Sequence, residues 1–564
     1  MVTATTLRSG RAPEHDVIPQ AASRRTGWGL IRHRRHVEFN PRSLFMISRR
    51  AVLAASVALG AVTTVLGRAA FAKEERILQI TSPREITSLE LADTSYHFRR
   101  LRVAETLVTI DPDGKLAPEL AKSWSVSDDG LNWSFVIREG VRFHDGSALT
   151  PELVRDAIEV MRKSRNNTEM VPQLPISSVS VAGQSVVVSL TKPFSLVADF
   201  FTDGPAVILA KSSFAPDGTV KHIIGTGPYK ITKIEGKTSV DLEAFSDYWG
   251  TPAHIAKVHF TGATSPDTIA NMAEAGQVDL VLGLPQALRD RVEGSGKVKV
   301  KQVQTARING VFVNAGDVRF DDPVERRAIS LAVDRRGIAQ ALFGNPKAAA
   351  NQLFSAAFPD WYDPDLPQIE RDVKEAERLL AGAGWTKGPD GVLTRDGTRF
   401  SLTMIVGKQP EVKSLAEAIQ AQLADVGIEV KLENGNQGQV LEAVAKGSFL
   451  FGLTRRNYGA VPDPVATLVL DYAESNAANA VWSGVNYRNP DMEQALSDYL
   501  AARNEDQRVA ARKKIRALVN ADLPVIPVVW YDYNVSISDR IAFDSVPIDA
   551  LEVSFWIDRV KWAS

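Results

Sequence analysis

The chain has 564 residues, 66 basic against 67 acidic side chains, and no cysteine. The missing cysteines exclude disulfides, a thiol nucleophile and a lipid anchor attached to a cysteine behind a leader. A formal charge of −1 leaves no electrostatic footprint for nucleic acid or for a polybasic grip on a membrane.

Residues 1–72 read as an address that is removed. Residues 1–45 carry Arg24-Arg25 and the run from Arg32 to His36. A nucleic-acid-binding arm is one reading of that run. The preferred reading is a mis-called extension, with Met46 as the true start. Arg49 and Arg50 then precede 16 apolar or small residues, Ala51 to Leu66. A membrane span needs about 20, so this run fits the core of an export signal. Ala70 and Ala72 flank Phe71 in a small-x-small cleavage site before Lys73. The pair in "SRRAVLA" resembles a twin-arginine signal, which exports folded proteins; the alternative is the general secretory route. Removing 72 residues takes 11 basic and 3 acidic side chains with it and leaves −9 on 492 residues. No other apolar run could cross a bilayer. The expected product is free in the periplasm, cleaved and not lipid-anchored, and long enough for two or more domains.

In chain order, Trp124, Trp133 and Phe135 offer large apolar area to a core. "LTPELVRDAIEVMRKS" (Leu149 to Ser164) predicts a helix with Thr150 as N-cap and Pro151 in its first turn. Ser178 to Thr191 alternates and turns at Gly183-Gln184, which predicts a hairpin. "DPVERRAISLAVDRRGIAQALFG" predicts helix-loop-helix. "DVKEAERLLAGAGW" predicts a helix stopped by Gly382 and Gly384. "VKSLAEAIQAQLADVGIEVKLE" predicts a helix, a stop at Gly427 and then a strand, a unit of an α/β sheet. No repeat or low-complexity segment interrupts this pattern.

Catalytic signatures are missing. There is no G-x-S-x-G elbow, no H-E-x-x-H and no Walker loop. "GTGPYK" (Gly225 to Lys230) lacks a third glycine, and Pro228 removes an N–H that a phosphate would need. "DPDGK" (Asp111 to Lys115) is a turn, because Lys115 stands where a calcium loop needs an oxygen. The histidines after residue 72 are His97, His144, His222, His254 and His259, without metal-ligand spacing. His254 and His259 fit a surface turn and a strand. No cofactor and no metal are expected.

Four segments in order resemble the peptide/nickel family of extracellular solute-binding proteins, family 5. They are "LVTIDPDGKLAPELAKSWSVSDDGLNWSFVIREGVRFHDGSALTPELV" (Leu107 to Val154); "IIGTGPYKI" with "DYWG" at Asp247 to Gly250; "AGQVDLV" (Ala275 to Val281); and "ERRAISLAVDRRGIAQALFG" followed by "EAERLLAGAGW". The resemblance implies an α/β, two-lobe periplasmic binding protein fold, type II, of the large class with an inserted subdomain and a ligand cleft between the lobes. Lobe I would take 73–100, 222–305 and 526–564, with 101–221 inserted, and lobe II 306–525. It also implies a substrate-binding component of an ABC importer, monomeric and not an enzyme. Its partners would be a small-molecule or peptide ligand and the importer's permease and ATPase subunits. An exported hydrolase of peptides or glycosides, or a partner of a chemoreceptor, are the alternatives.

The ligand segment reads "RRNYGAVPDP", Arg455 to Pro464. Peptide-binding members place an amine-pairing Asp where this chain has Ala460, and a Trp where it has Asn457. The nickel-binding branch is similar at Arg456, Tyr458, Gly459, Ala460, Asp463 and Pro464. By that resemblance Tyr96, Arg165, Arg456, Tyr458 and Asp463 are the expected ligand-binding residues, although Asp-Pro also opens turns and helices. Arg455-Arg456 offer guanidinium forks, so a carboxylate-rich solute, such as a metal chelate, an opine-like compound or a modified peptide, is expected over a free-amine peptide.

Overall fold

The computed structural model describes residues 76–564 except 87, 164–169, 237, 264, 474–484, 547–550 and 552–554. Arg49, Arg50, Ala70 and Ala72, the residues expected to mark the export signal, and also Arg165, lie outside the described residues.

Eight strands form the main sheet: β1 (Ile77–Ser82), β2 (Tyr229–Glu235), β3 (Ser239–Ala244), β4 (Lys257–Gly262), β5 (Leu280–Leu282), β6 (Val298–Val313), β7 (Phe451–Asn457) and β8 (Val525–Ser538). Their order across the sheet is β7-β6-β8-β5-β1-β4-β3-β2. β6 and β8 are the long members and tie the sheet's two halves together. Residues 298–304 of β6 pair with 532–538 of β8 beside β5, and residues 308–312 pair with 525–530 on the side of β7. The register slips between Gln304 and Ile308. A slip of this kind bends and twists a strand locally.

Three large apolar cores follow this division. One lies under β1, β4, β5 and the distal half of β8, and includes Leu78, Phe98, Phe260 and Ile537. A second lies under the proximal half of β8 and the helices from 323 to 424, and includes Phe320, Ile329, Trp385, Phe400 and Ile419. A third runs from Leu107 to Ala210 and continues into Phe354, Tyr458 and Tyr499. Trp133 and Phe135 are buried in it and Trp124 packs against it.

The local predictions follow from capping and turn chemistry. Thr150 accepts a hydrogen bond from Leu153 N at 3.3 Å and Pro151 opens the helix Pro151–Met161. Strands Ile176–Ala182 and Ser185–Leu190 pair antiparallel around Gly183, whose φ is +60°. Helices Pro323–Ala332 and Arg335–Phe343 form the helix-loop-helix. Helix Val373–Gly382 ends where predicted. Helix Pro410–Ala424 leads through Gly427 (φ +82°) into strand Glu429–Asn434, which pairs parallel with Ser401–Val406. "DPDGK" is a turn closed by Asp111 N–H to Lys115 C=O at 2.9 Å. His254 is exposed, and His259 sits on β4 with Nδ1 2.6 Å from Asp241 Oδ1.

The "GTGPYK" and "DYWG" motifs meet at one buried polar cluster. Arg102 bridges Glu119 at 3.0 Å and Asp558 at 3.1 Å, and Arg99 holds Glu119 at 2.7 Å. Glu105 accepts from Thr226 Oγ1, Tyr248 O–H and Trp249 Nε1–H, each at 2.8 Å. The two glycines are required by close approach. A Cβ on Gly225 would sit 2.2 Å from Val103 O, and one on Gly227 would sit 2.1 Å from Arg102 O. Gly225 and Gly227 are therefore scaffold.

Candidate ligand-binding site

The segment expected to hold ligand is β7 and the loop behind it. β7 pairs antiparallel with β6 so that Asn309 lies opposite Arg455 and Arg307 opposite Asn457. Side chains alternate across a strand, so these four share one face. All four line a cavity of about 1040 Å³. The rest of its wall comes from residues 405–415, from 434–440 and from Phe343, Leu453, Thr454 and Arg456. Among the described residues around it, Arg307, Lys408 and Arg455 are cationic, Glu411 is the carboxylate, and Arg456 adjoins it.

The two adjacent arginines have different tasks. Arg455 Nε donates to Asn309 Oδ1 at 3.1 Å, its NH2 lies 3.4 Å from Glu411 Oε2, and its guanidinium stacks 4.8 Å above the Tyr531 ring. Arg456 is turned to the opposite face. Its Nε and NH2 form a bidentate pair with Asp471 at 3.0 and 2.6 Å. Burial disfavours the Arg456 charge, but the Asp471 carboxylate more than offsets this and holds the guanidinium above its ordinary pKa. Asp471 is buried on helix Val465–Tyr472, so its negative charge is matched inside the protein.

The other expected residues are spread out. Tyr458 is 1% exposed and packs edge-on to Phe354 at 5.5 Å, inside the third core. Burial, and then Asp471, push its phenol well above the usual range. Asp463 accepts from Val465 N–H at 3.0 Å and from Tyr499 O–H at 2.5 Å, which opens the helix that carries Asp471. Burial raises its pKa. Tyr96 lies with the Arg84 and Arg100 guanidiniums 5.4 and 5.3 Å from its ring, and it is absent from the cavity wall. The structure thus joins Arg456, Tyr458 and Asp463 in one segment, of which Arg456 adjoins the cavity with its guanidinium turned away to Asp471, and leaves Tyr96 elsewhere.

Sequence reasoning missed Asn309, Arg307, Lys408 and the wall at 434–440. A signal existed for the last. "NGNQGQ" (Asn434 to Gln439) is a run of four carboxamides, spaced by glycines, just after a strand. Asn309 had none, because its place is set by pairing with a strand 146 residues away.

Residues 115–479 match the model of the bacterial extracellular solute-binding proteins, family 5 middle. The nickel-binding periplasmic protein of Escherichia coli is 25% identical over 479 residues, covering 80% of this chain and 90% of that protein. The glutathione-binding protein GsiB of Shigella dysenteriae is 22% identical over 490 residues, covering 84% and 92%. The crystal structure of NikA from Brucella suis in complex with Fe(III)-EDTA superposes with a TM-score of 0.77 at 24% identity, covering 87% of this chain and 100% of that one. The expected α/β two-lobe binding-protein fold is the fold of this chain.

Proposed function

This chain belongs to the bacterial extracellular solute-binding proteins, family 5, the substrate-binding components of ABC importers, and from that premise we propose that it captures an anionic solute in the cavity beside β7. The solute is then handed unchanged to a membrane permease driven by its ATPase subunits. The protein works in the periplasm, after its leader is removed, as a monomer and without chemistry. Its periplasmic relative in Escherichia coli supports that location, and no described helix is long and apolar enough to cross a membrane.

One observation carries the ligand's sign. Lys408 and Arg455 face the cavity beside Glu411, while Arg456 is neutralised by Asp471. A free α-ammonium would enter a wall whose one carboxylate, Glu411, already faces Arg455. An unpaired cation taken from water costs several kcal/mol. The relatives named above bind nickel and glutathione, ligands too different for either to be transferred by likeness.

Calorimetry tests this reading. Anionic solutes should bind at least tenfold more tightly than neutral analogues. Arg455→Ala and Lys408→Ala should each weaken them by fivefold or more. Tighter binding of unmodified dipeptides, unaffected by Arg455→Ala, would reverse the assignment.

A further inference from the structure

We propose that Gln286 is the strut of the molecule's hinge, a positioning residue that holds the two halves of the main sheet in one relative setting before any solute arrives. The strut acts whichever solute binds and wherever that solute sits.

The halves are packed separately. Leu284 lies just after β5 and belongs to a small fourth core with Ile269, Val281 and Val292. Phe343 ends helix Arg335–Phe343 and belongs to the second core with Ile329 and Trp385. Gln286 joins the two. Its Nε2 donates to Phe343 C=O at 2.5 Å, and its Oε1 accepts from Asn534 Nδ2 at 2.7 Å. Asn534 is itself fixed to the segment after β5, because its C=O accepts from Gly283 N–H and Leu284 N–H at 3.1 and 2.9 Å. One side chain thus connects the β5 side, β8 and a helix of the other half.

The residue type suits this task. The Phe343 C=O is among the last four of its helix and meets no donor within it. Gly344 N–H and Asn345 N–H turn back to the carbonyls of Gln340 and Ala339, and Gln286 supplies the donor for Phe343. A carboxamide donates from one atom and accepts at the other, whereas a carboxylate would set an oxygen against the Phe343 carbonyl. Asn345 adds a second tie, with Nδ2 donating to Asp532 Oδ2 at 2.8 Å.

The position suits it too. Gln302 lies opposite Asn534 and Gln304 opposite Asp532, the last pairs before the register slip between Gln304 and Ile308. Asp532 and Asn534 are two residues apart, so they share one face of β8. Both ties therefore grip β8 beside the slip, where the crossing strands bend most readily. A change of angle between the halves is absorbed there and alters the reach from Gln286 to Phe343. Gln286 and Asn345 are half-buried, so their hydrogen bonds can be exchanged for bonds to water. The strut holds a setting without making it permanent. A solute that touches both halves then meets them already placed.

Double electron–electron resonance on the cleaved protein, freed of endogenous solute by unfolding and refolding, tests this. The chain has no cysteine. Glu235→Cys on β2 and Lys446→Cys just before β7 therefore place spin labels at exposed sites on the two edges of the sheet. The labelled parent should give one narrow distance distribution. Gln286→Ala should broaden it by about twofold. Adding Asn345→Ala should broaden it further. Gln286→Glu keeps the acceptor for Asn534 and loses the donor for Phe343, and it should broaden the distribution as Gln286→Ala does. This variant decides the matter should Gln286→Ala fail to fold. A merely structural role for Gln286 would lower the melting temperature and leave the distances within the folded protein as they are. A distribution in Gln286→Glu no broader than the parent's overturns the proposal, whatever the melting temperature and whatever Gln286→Ala shows.

Discussion

Arg455 and Arg456 are chemically identical and functionally opposite, because one residue along a strand moves a side chain to the other face. Removing Arg456 takes the guanidinium from a buried carboxylate, Asp471. Arg456→Ala should therefore cost about 3–5 kcal/mol in urea unfolding. Arg455→Ala, at a half-exposed site, should cost less than about 1 kcal/mol and act on binding instead. Equal destabilisation by the two variants would contradict this division. A second residue-scale prediction concerns Asp199. It is buried on helix Val197–Phe200, next to a chain contact in which Ser195 N–H donates to Leu500 C=O at 2.9 Å. Burial, and then the Asp463 carboxylate, raise its pKa from 3.8 to about 8, while Arg508 opposes the shift. Between about pH 4 and 8 the folded protein keeps a proton that the unfolded chain has lost, so this group's contribution to stability declines as pH rises through that window. Asp199→Asn carries no such penalty. Its stability relative to wild type should grow between pH 5 and pH 9 by on the order of 2 kcal/mol. Parallel melting-temperature profiles for the two proteins would refute this.

At the scale of elements, the turn at Gly225 to Pro228 is held against residues 102–105 by hydrogen bonds to Glu105 and by backbone contact that admits no Cβ. Gly225→Ala must push the turn off Val103 O. The expected loss is about 3 kcal/mol, measured by thermal unfolding, with ligand affinity of the folded fraction unchanged because the turn is not part of the cavity wall. Wild-type stability in this variant would mean that the backbone yields more readily than its packing suggests. Strand Glu429–Asn434 and the helix that follows it set the carboxamide wall. The capping box between Asn436 and Gln439 fixes where that helix starts. Replacing Asn436 by Ala should cost about 1 kcal/mol and loosen the wall.

At the scale of the whole molecule, β6 and β8 cross between the sheet's two halves, and the register slip at 304–308 lies midway. A two-lobe binding protein closes on a solute that touches both lobes, whereas the cavity beside β7 is lined by residues between 307 and 457 alone. Small-angle scattering should therefore show the same radius of gyration with and without a saturating solute in that cavity. A smaller radius with solute would place it between the lobes instead. Export belongs to this scale too. Replacing Arg49 and Arg50 by Lys should leave precursor in the cytoplasm if the twin-arginine route is used, whereas normal export would leave the general secretory route.

The family, the fold and most local elements were legible in the sequence because their causes are local. Thr150-Pro151 caps a helix, Gly183 turns a hairpin and Gly427 stops a helix whatever surrounds them. The "GTGPY" and "DYWG" motifs marked the family without revealing that Glu105 joins them, since Thr226, Tyr248 and Trp249 lie more than 120 residues from it. The candidate site was half legible. Its segment was found through Arg455 to Pro464, but the assignment of the cavity-facing arginine required the strand's register against β6. Asn309 could not be found at all before that pairing was known. Residue type and spacing along the chain determine capping, turning and the apolar pattern. Which polar group faces a cavity and which is spent on a buried partner is decided only when distant strands and helices meet.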